Sequence, residues 1–302
     1  MTLQQRNDKI AWLETQRREI VAEMLQEPFD ERHKDVGREE ELTLIEERLL
    51  NLPPLVEEAG EWKPMGKGAV EPTPEDFERL EAIQKPMSFA EAGIQVIPPS
   101  EWGAYIAGKG GEQALFADRY VEHILNQSSV GSCGAEAFAG SDMTLRSTLG
   151  QRDTPRLNGY YLYSRTSGGR DRGSSPQANL ALILQEGCCS EDVRPRVRGG
   201  RLDWNTHPTQ AERDDAAKYR VLRYVECRNV AEFGTMLLMN RPVVWGYTGH
   251  LIYASRLLSQ TQFLYPNSWS PNWGQNGRGT ASFRSVYWPY RVYALTSQVH
   301  ST

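Results

Sequence analysis

Gln127-Ser128-Ser129-Val130-Gly131-Ser132-Cys133-Gly134-Ala135-Glu136-Ala137-Phe138-Ala139 decides how this chain is read. A turn-rich stretch runs into small and apolar residues that suit a helix, so Cys133 sits at or near a helix N-terminus. There the free N–H groups and the positive end of the helix dipole favour a thiolate. A thiolate nucleophile needs a base to hold it ionised, and that base needs a third group to fix its tautomer and ring plane. Downstream, Gly249-His250-Leu251-Ile252-Tyr253 reads as a strand start that carries an imidazole. It is followed by Asn267-Ser268-Trp269-Ser270-Pro271-Asn272-Trp273-Gly274-Gln275-Asn276-Gly277. Cys133, His250 and Asn267 fill the three roles in chain order. Gln127 adds an amide just ahead of the nucleophile, placed to hold an oxyanion together with the Cys133 N–H.

These segments resemble the papain family of cysteine peptidases, in a divergent bacterial or viral form with an N-terminal helical extension. The family pattern is a Gln, then Cys in a Gly-Ser-Cys turn, later Gly-His, then Asn-Ser-Trp with a Trp-Gly-x-x-Gly tail. The resemblance implies Cys133 as nucleophile, His250 as base, Asn267 as orienter and Gln127 as oxyanion donor. Trp269 would shield the Asn267–His250 hydrogen bond, and Trp273 keeps the tail spacing. It also implies an α+β fold with two lobes, a helical left lobe and an antiparallel, barrel-like right lobe, with the cleft between them. The activity implied is cleavage of peptide bonds in a protein or peptide substrate, with no cofactor and no metal. Ser174-Ser175-Pro176 opens a helix with a cap and a proline at its first position. That helix continues through Asn179-Leu180-Ala181-Leu182-Ile183-Leu184 and ends near Gly187, with Glu191 following at the family's interval. Val230 to Asn240 reads as another helix, leading to a strand at Pro242-Val243-Val244-Trp245. The match covers roughly residues 125–285, and Pro98-Pro99-Ser100-Glu101-Trp102 places the start of the body near 98.

The departures from the pattern are specific. Gly134 stands where the family has Trp, which removes an aromatic wall. Val130 replaces a disulfide cysteine, and Ser270 replaces a Gly. Tyr247, Thr248 and Gly249 stand where the family inserts a long loop before the His, so a tight hairpin and a more open cleft are expected.

The rest of the chain divides by composition. It has 302 residues, 39% of them hydrophobic, with 26 glycines, four cysteines and a net charge of −5. This is globular composition, with no disulfide framework and no apolar run long enough to span a membrane. The N-terminus has no apolar signal region. General nucleic-acid binding does not fit an acidic chain. No secretion signal and few cysteines suggest a cytoplasmic or virion-associated protein. Residues 1–52 hold 8 Lys/Arg and 13 Asp/Glu, so the remaining 250 residues are neutral overall. Ile10, Leu13, Ile20 and Met24, then Leu42, Ile45, Leu49 and Leu52, fall at three- and four-residue steps, which predicts a charged helical hairpin. Between residues 53 and 99 lie 8 of the 17 prolines, which predicts an extended connector over 53–97 ahead of a peptidase body at 98–302. The arm reads as a hairpin packed on its own body, as a docking or self-association arm, or as an inhibitory pro-segment whose connector crosses the cleft. A second class of function also stands: a structural or binding component of a larger assembly, such as a virus particle, that keeps the body with little or no proteolysis.

Cys188-Cys189 and Cys227 read as core thiols. His33, His123, His207 and His300 have no motif partners. Gly108-Lys109-Gly110-Gly111 reads as a turn. Arg165, Arg170, Arg172, Arg194, Arg196, Arg198 and Arg201 read either as solvated surface or as a basic rim that docks an acidic partner.

Overall fold

The helix predicted at the deciding motif spans Cys133–Thr148, and almost all of it is buried. The computed structural model describes Trp12, Thr15, Gln16 and residues 68–108, 116–151, 153–247 and 249–298. Residues 1–63 form one unit, of which Trp12, Thr15 and Gln16 are described, all helical; residues 64–302 form a second. The hairpin arm at 1–52, His33, His300 and the turn at 109–111 otherwise lie outside the described residues.

In chain order the second unit has α1 (Pro74–Ile83), α2 (Trp102–Gly108), α3 (Cys133–Thr148), α4 (Gly159–Thr166) and α5 (Pro176–Gln185). A two-stranded ribbon follows, β1 (Val197–Arg198) and β2 (Arg201–Leu202), and then α6 (Gln210–Ala216), β3 (Val221–Glu226) and α7 (Val230–Leu238). The chain closes with β4 (Val243–Tyr247), β5 (His250–Ala254), β6 (Arg256–Leu257), β7 (Gln262–Pro266), β8 (Arg278–Ser282) and β9 (Tyr293–Gln298).

Local sequence explains the key boundaries. Ser175 caps α5 by accepting the Ala178 N–H, Pro176 occupies the first turn, and Gly187 follows the end at φ +88°. Asn229 caps α7 in the same manner through the Glu232 N–H. The connector departs from expectation, because its described part is not extended throughout. Thr73 and Asp76 form a capping box and Pro74 sits in the first turn, so the prolines here start a helix rather than prevent one. Leu80 of α1 is buried in the helical core, and Met87 bridges to Val225 of β3.

The sheets order as β3-β9-β4-β5 and β6-β7-β8, with every pairing antiparallel. The chain passes from the first sheet to the second at Ser255, whose buried hydroxyl donates to Asp118 at 3.0 Å. The four-stranded sheet stands between two apolar cores, and its pleat sorts residues between them. Val244, Leu251, Tyr253, Tyr293 and Leu295 face the helical core. Val243, Trp245, Ile252, Ala254 and Ala294 face the second core, which also holds Trp102, Phe233 and Phe263.

Helix α3 lies along β5. Gly140 lets it approach, since a Cβ there would be 2.6 Å from Tyr253 Cε1, and Thr144 Oγ1 donates to Tyr253 Oη at 3.2 Å. Among its buried polar groups, Asp142 and Arg146 form a 3.2 Å ion pair, and Ser147 bonds Glu122. This packing brings the N-terminus of α3 to the start of β5.

Candidate active site

The expected hairpin is present, with Tyr247 paired to His250 and Gly249 at φ +84°, a value that favours glycine. His250 therefore opens β5 and is fully buried. Asn267 follows β7 and is held by its N–H on Gly277 O at 2.9 Å. Asn267 Oδ1 lies 2.9 Å from His250 Nε2 and also accepts the Ser268 N–H at 2.8 Å. A backbone N–H only donates, so that atom is an acceptor and Nε2 must carry the proton. Trp269 covers the pair, its ring 4.7 Å from the imidazole at 33°, and Trp273 meets Trp269 edge-on at 5.5 Å.

Cys133 is the first residue of α3, and its Sγ accepts the Leu251 N–H at 3.5 Å, one residue beyond His250. The sulfur is fully buried. Burial pushes the thiol from its ordinary 9.0 up to about 11; the N–H groups of Leu251, Gly68 and Gly134 pull it back, and the Glu136 charge pushes it up further. Gln127 is locked from both ends: its Nε2 donates to Val130 O at 2.8 Å, and its Oε1 accepts Ser268 Oγ at 2.7 Å. All four motif residues thus converge where α3 meets β5 and the loop after β7.

The departures have physical reasons. A Cβ on Gly134 would be 2.9 Å from Asn179 Nδ2 and 3.0 Å from Leu251 Cδ1, so a tryptophan has no room there. The groove beside the short hairpin is not left open as expected. Tyr287 N donates to Gly246 O at 2.8 Å, and Tyr290 Oη accepts the Gly249 N–H at 2.9 Å. Ser270 holds φ +74°, the region its usual glycine would favour. Ser270→Gly is therefore expected to raise stability by about 0.5–1 kcal/mol. A denaturant midpoint that falls would contradict this.

Residues 68–71 cross this groove. The Ser174 N–H donates to Gly68 O at 2.9 Å and Val70 N to Ser174 O at 3.3 Å, a parallel bridge of Ala69 with Ser174. On the other side Ala69 N donates to Gly249 O at 3.1 Å, and Tyr290 Oη donates to Ala69 O at 3.2 Å. Tyr287 Oη holds Glu71. The segment is clamped by backbone bonds between the lip of α5 and the hairpin before His250. A connector crossing the cleft was one of the three readings of the N-terminal region, but nothing in the sequence marked residues 68–71 as the segment, because backbone pairing does not depend on side chains.

The basic rim is corrected. Arg194 is fully buried between Asp203 and Glu212, and Arg198 bonds the same two carboxylates. Arg165 pairs with Glu186, and Arg196 with Glu136. Arg170, Arg172 and Arg201 are exposed. The acidic partners come from α3, the residue that caps the end of α5, the chain between β2 and α6, and α6 itself, which spacing along the chain does not reveal. Cys188, Cys189 and Cys227 are buried free thiols, as read; burial raises all three, and Cys189 donates to Asp215 at 3.5 Å. No helix among the described residues is long and apolar enough to cross a membrane.

No protein-family model matches the chain, and no curated protein matches it by sequence. Solved structures share its fold. A digestive procathepsin L2 proteinase from Tenebrio molitor larval midgut superposes with a TM-score of 0.59 at 16% identity, covering 86% of this chain and 88% of that one. A structure from a comparison of the mite allergens Blo t 1 and Der p 1 gives 0.54 at 16% identity, covering 85% and 90%. Xylellain, a cysteine protease from Xylella fastidiosa, gives 0.50 at 15% identity, covering 58% and 82%. These likenesses establish the two-lobed α+β fold of the papain-like proteases.

Proposed function

We propose that this chain is a papain-like cysteine endopeptidase that its own residues 68–71 hold latent. The observation that carries the reading is the 2.9 Å contact between His250 Nε2 and Asn267 Oδ1, one residue from the backbone N–H that touches the Cys133 sulfur. With the Nε2 proton on Asn267, Nδ1 is the nitrogen that accepts the thiol proton. The thiolate attacks the substrate carbonyl, and a C–S bond forms as the carbonyl π pair moves to oxygen. Gln127 and the Cys133 N–H stabilise that oxyanion. The oxyanion collapses, the C–N bond breaks, and the imidazolium gives its proton to the leaving amine. Water, deprotonated by His250, then attacks the thioester carbonyl; the second oxyanion collapses, the C–S bond breaks to release the carboxylic acid, and the imidazolium returns its proton to the thiolate.

Latency is supported by the pairing of 68–71 on both walls of the groove. The segment runs parallel to Ser174, so its carbonyls are presented in a different order from those of an antiparallel chain. It occupies the groove with the Gly68 N–H bonded to the Cys133 sulfur. The chain's substrate is a protein or peptide, and residues 1–52 serve a protein partner or self-association.

The test is active-site titration with an irreversible thiol epoxide, before and after controlled proteolysis ahead of residue 74, with the mass of the chain followed. The expected result is one equivalent bound at Cys133, together with peptide turnover, after trimming only. A trimmed, folded chain that neither binds the epoxide nor cleaves peptides would reject the reading and favour an assembly component.

A further inference from the structure

Glu136 is an acid inside the protein, in the first turn of the helix that begins at Cys133, and it is 1% exposed. Arg196 grips it with both nitrogens: Nη2 to Oε1 at 2.6 Å and Nη1 to Oε2 at 3.0 Å. The same Nη2 donates to Asn126 O at 2.6 Å, the carbonyl immediately before Gln127. The guanidinium lies 3.9 Å from the centroid of the Tyr160 ring, and Tyr160 Oη donates to Gln127 O at 2.9 Å. Ser132 Oγ, beside the nucleophile, reaches Glu136 Oε1 at 3.3 Å. Gly159 leaves room for the carboxylate, since a Cβ there would be 2.5 Å from Glu136 Oε2. One cation thus touches the element that carries the thiol and the segment that carries the amide.

We propose that Arg196 is a positioning residue for the Cys133 thiol and the Gln127 amide: it neutralises Glu136 beside the thiol and fixes the Asn126 carbonyl. This rests on reading Cys133 as the nucleophile. Burial disfavours the charged guanidinium, and the pair with Glu136 outweighs that burial, so Arg196 stays charged. The charge of Glu136 raises the thiol pKa, so its neutralisation favours the thiolate. The other titratable groups near the sulfur are His250 on β5, Tyr163 on α4, Tyr247 on β4 and Tyr290 after β8. Around Glu136 stand Arg196, Glu191 and Tyr160. None of these is altered in the test except the pair itself.

The test is the rate of Cys133 alkylation by iodoacetamide, resolved by mass spectrometry over the neutral to mildly alkaline range. The parent is the full-length chain carrying Gly68→Leu, because a side chain at residue 68 would meet the Gly131 carbonyl and displace residues 68–71 from the sulfur. With the sulfur open the rate follows the thiolate fraction, so adding or removing one neighbouring charge is read as a severalfold change. Arg196→Gln is expected to slow alkylation by that factor and Glu136→Gln to speed it by a like factor. The double variant returns near the parent rate, and Arg196→Lys, which keeps the charge, stays near it too. Loosening alone would expose the sulfur and speed every variant. Rates that move in one direction for both single variants, or do not move, overturn the proposal. If Arg196→Gln does not fold, an unchanged rate in Glu136→Gln still overturns it. Alkylation needs no turnover, so a chain without peptidase activity would fail the function reading while leaving this result to stand or fall separately.

Discussion

Replacing Gly68 by leucine is expected to raise the rate of Cys133 alkylation by about 100-fold at pH 8. A Cβ on Gly68 would collide with the Gly131 carbonyl, a backbone group in the turn that leads to the nucleophile. On the other side, the Gly68 carbonyl lies where a Cβ on Gly173 would fall. Neither neighbour is a flexible side chain that can turn aside, so the segment at 68–71 must leave the groove. Its departure returns water to the sulfur and relieves burial, the largest cause that holds the thiol at about 11 rather than 9.0, while the Gly68 N–H that lowers it leaves as well. Full return of the thiol to 9.0 sets the expected order of magnitude. The same linkage gives the sign of the pH effect on closure. The closed form binds the neutral thiol, so closure is fully favoured below pH 9.0 and weakens as pH rises toward about 11. Cys188, Cys189 and Cys227 are buried elsewhere and act as internal controls in the same digest. A leucine variant that alkylates at the parent rate would show that the segment does not guard the thiol.

The second large effect is at the nucleophile. Cys133→Ala in the trimmed chain is expected to lower peptide turnover by at least about 10⁴-fold, because no other group stands to form the acyl intermediate. Fluorogenic peptide hydrolysis measures the loss, and the absence of epoxide adduct in the intact mass confirms that the label was at this sulfur. Substantial residual turnover would place the chemistry on another residue. Helix α3 should survive the change, since Phe138, Leu145 and the Asp142–Arg146 pair hold it further along.

Much of this was legible in the primary structure, for physical reasons. The placement of Cys133 at a helix start follows from turn residues giving way to small apolar ones. The α5 boundary follows from Ser175 and Pro176, and the β4–β5 hairpin from the short interval before His250. What escaped reading depends on tertiary neighbours. Gly134 looked like a lost aromatic wall, whereas Leu251 and Asn179 fill that space. Arg194, Arg196 and Arg198 looked like a charged rim, whereas their carboxylates arrive from α3, α6 and the chain between β2 and α6. Thr73-Pro74 sat in a stretch rich in prolines, yet it has the chemistry of a helix start. A connector across the cleft was one reading, but its seat at 68–71 was not legible, since its bonds are made by the backbone or received from tyrosines that come more than two hundred residues later.

The alternation of strand β9 between the two apolar interiors ties together the halves that carry sulfur and imidazole. Neither half can melt while the other keeps its packing, because Tyr293 and Leu295 would be stripped from one side as Ala294 remained on the other. Heating residues 64–302 should therefore give a single calorimetric peak, with van't Hoff and calorimetric enthalpies in agreement. The reactive geometry would then be lost in one step, with no partly melted form in which either half persists alone.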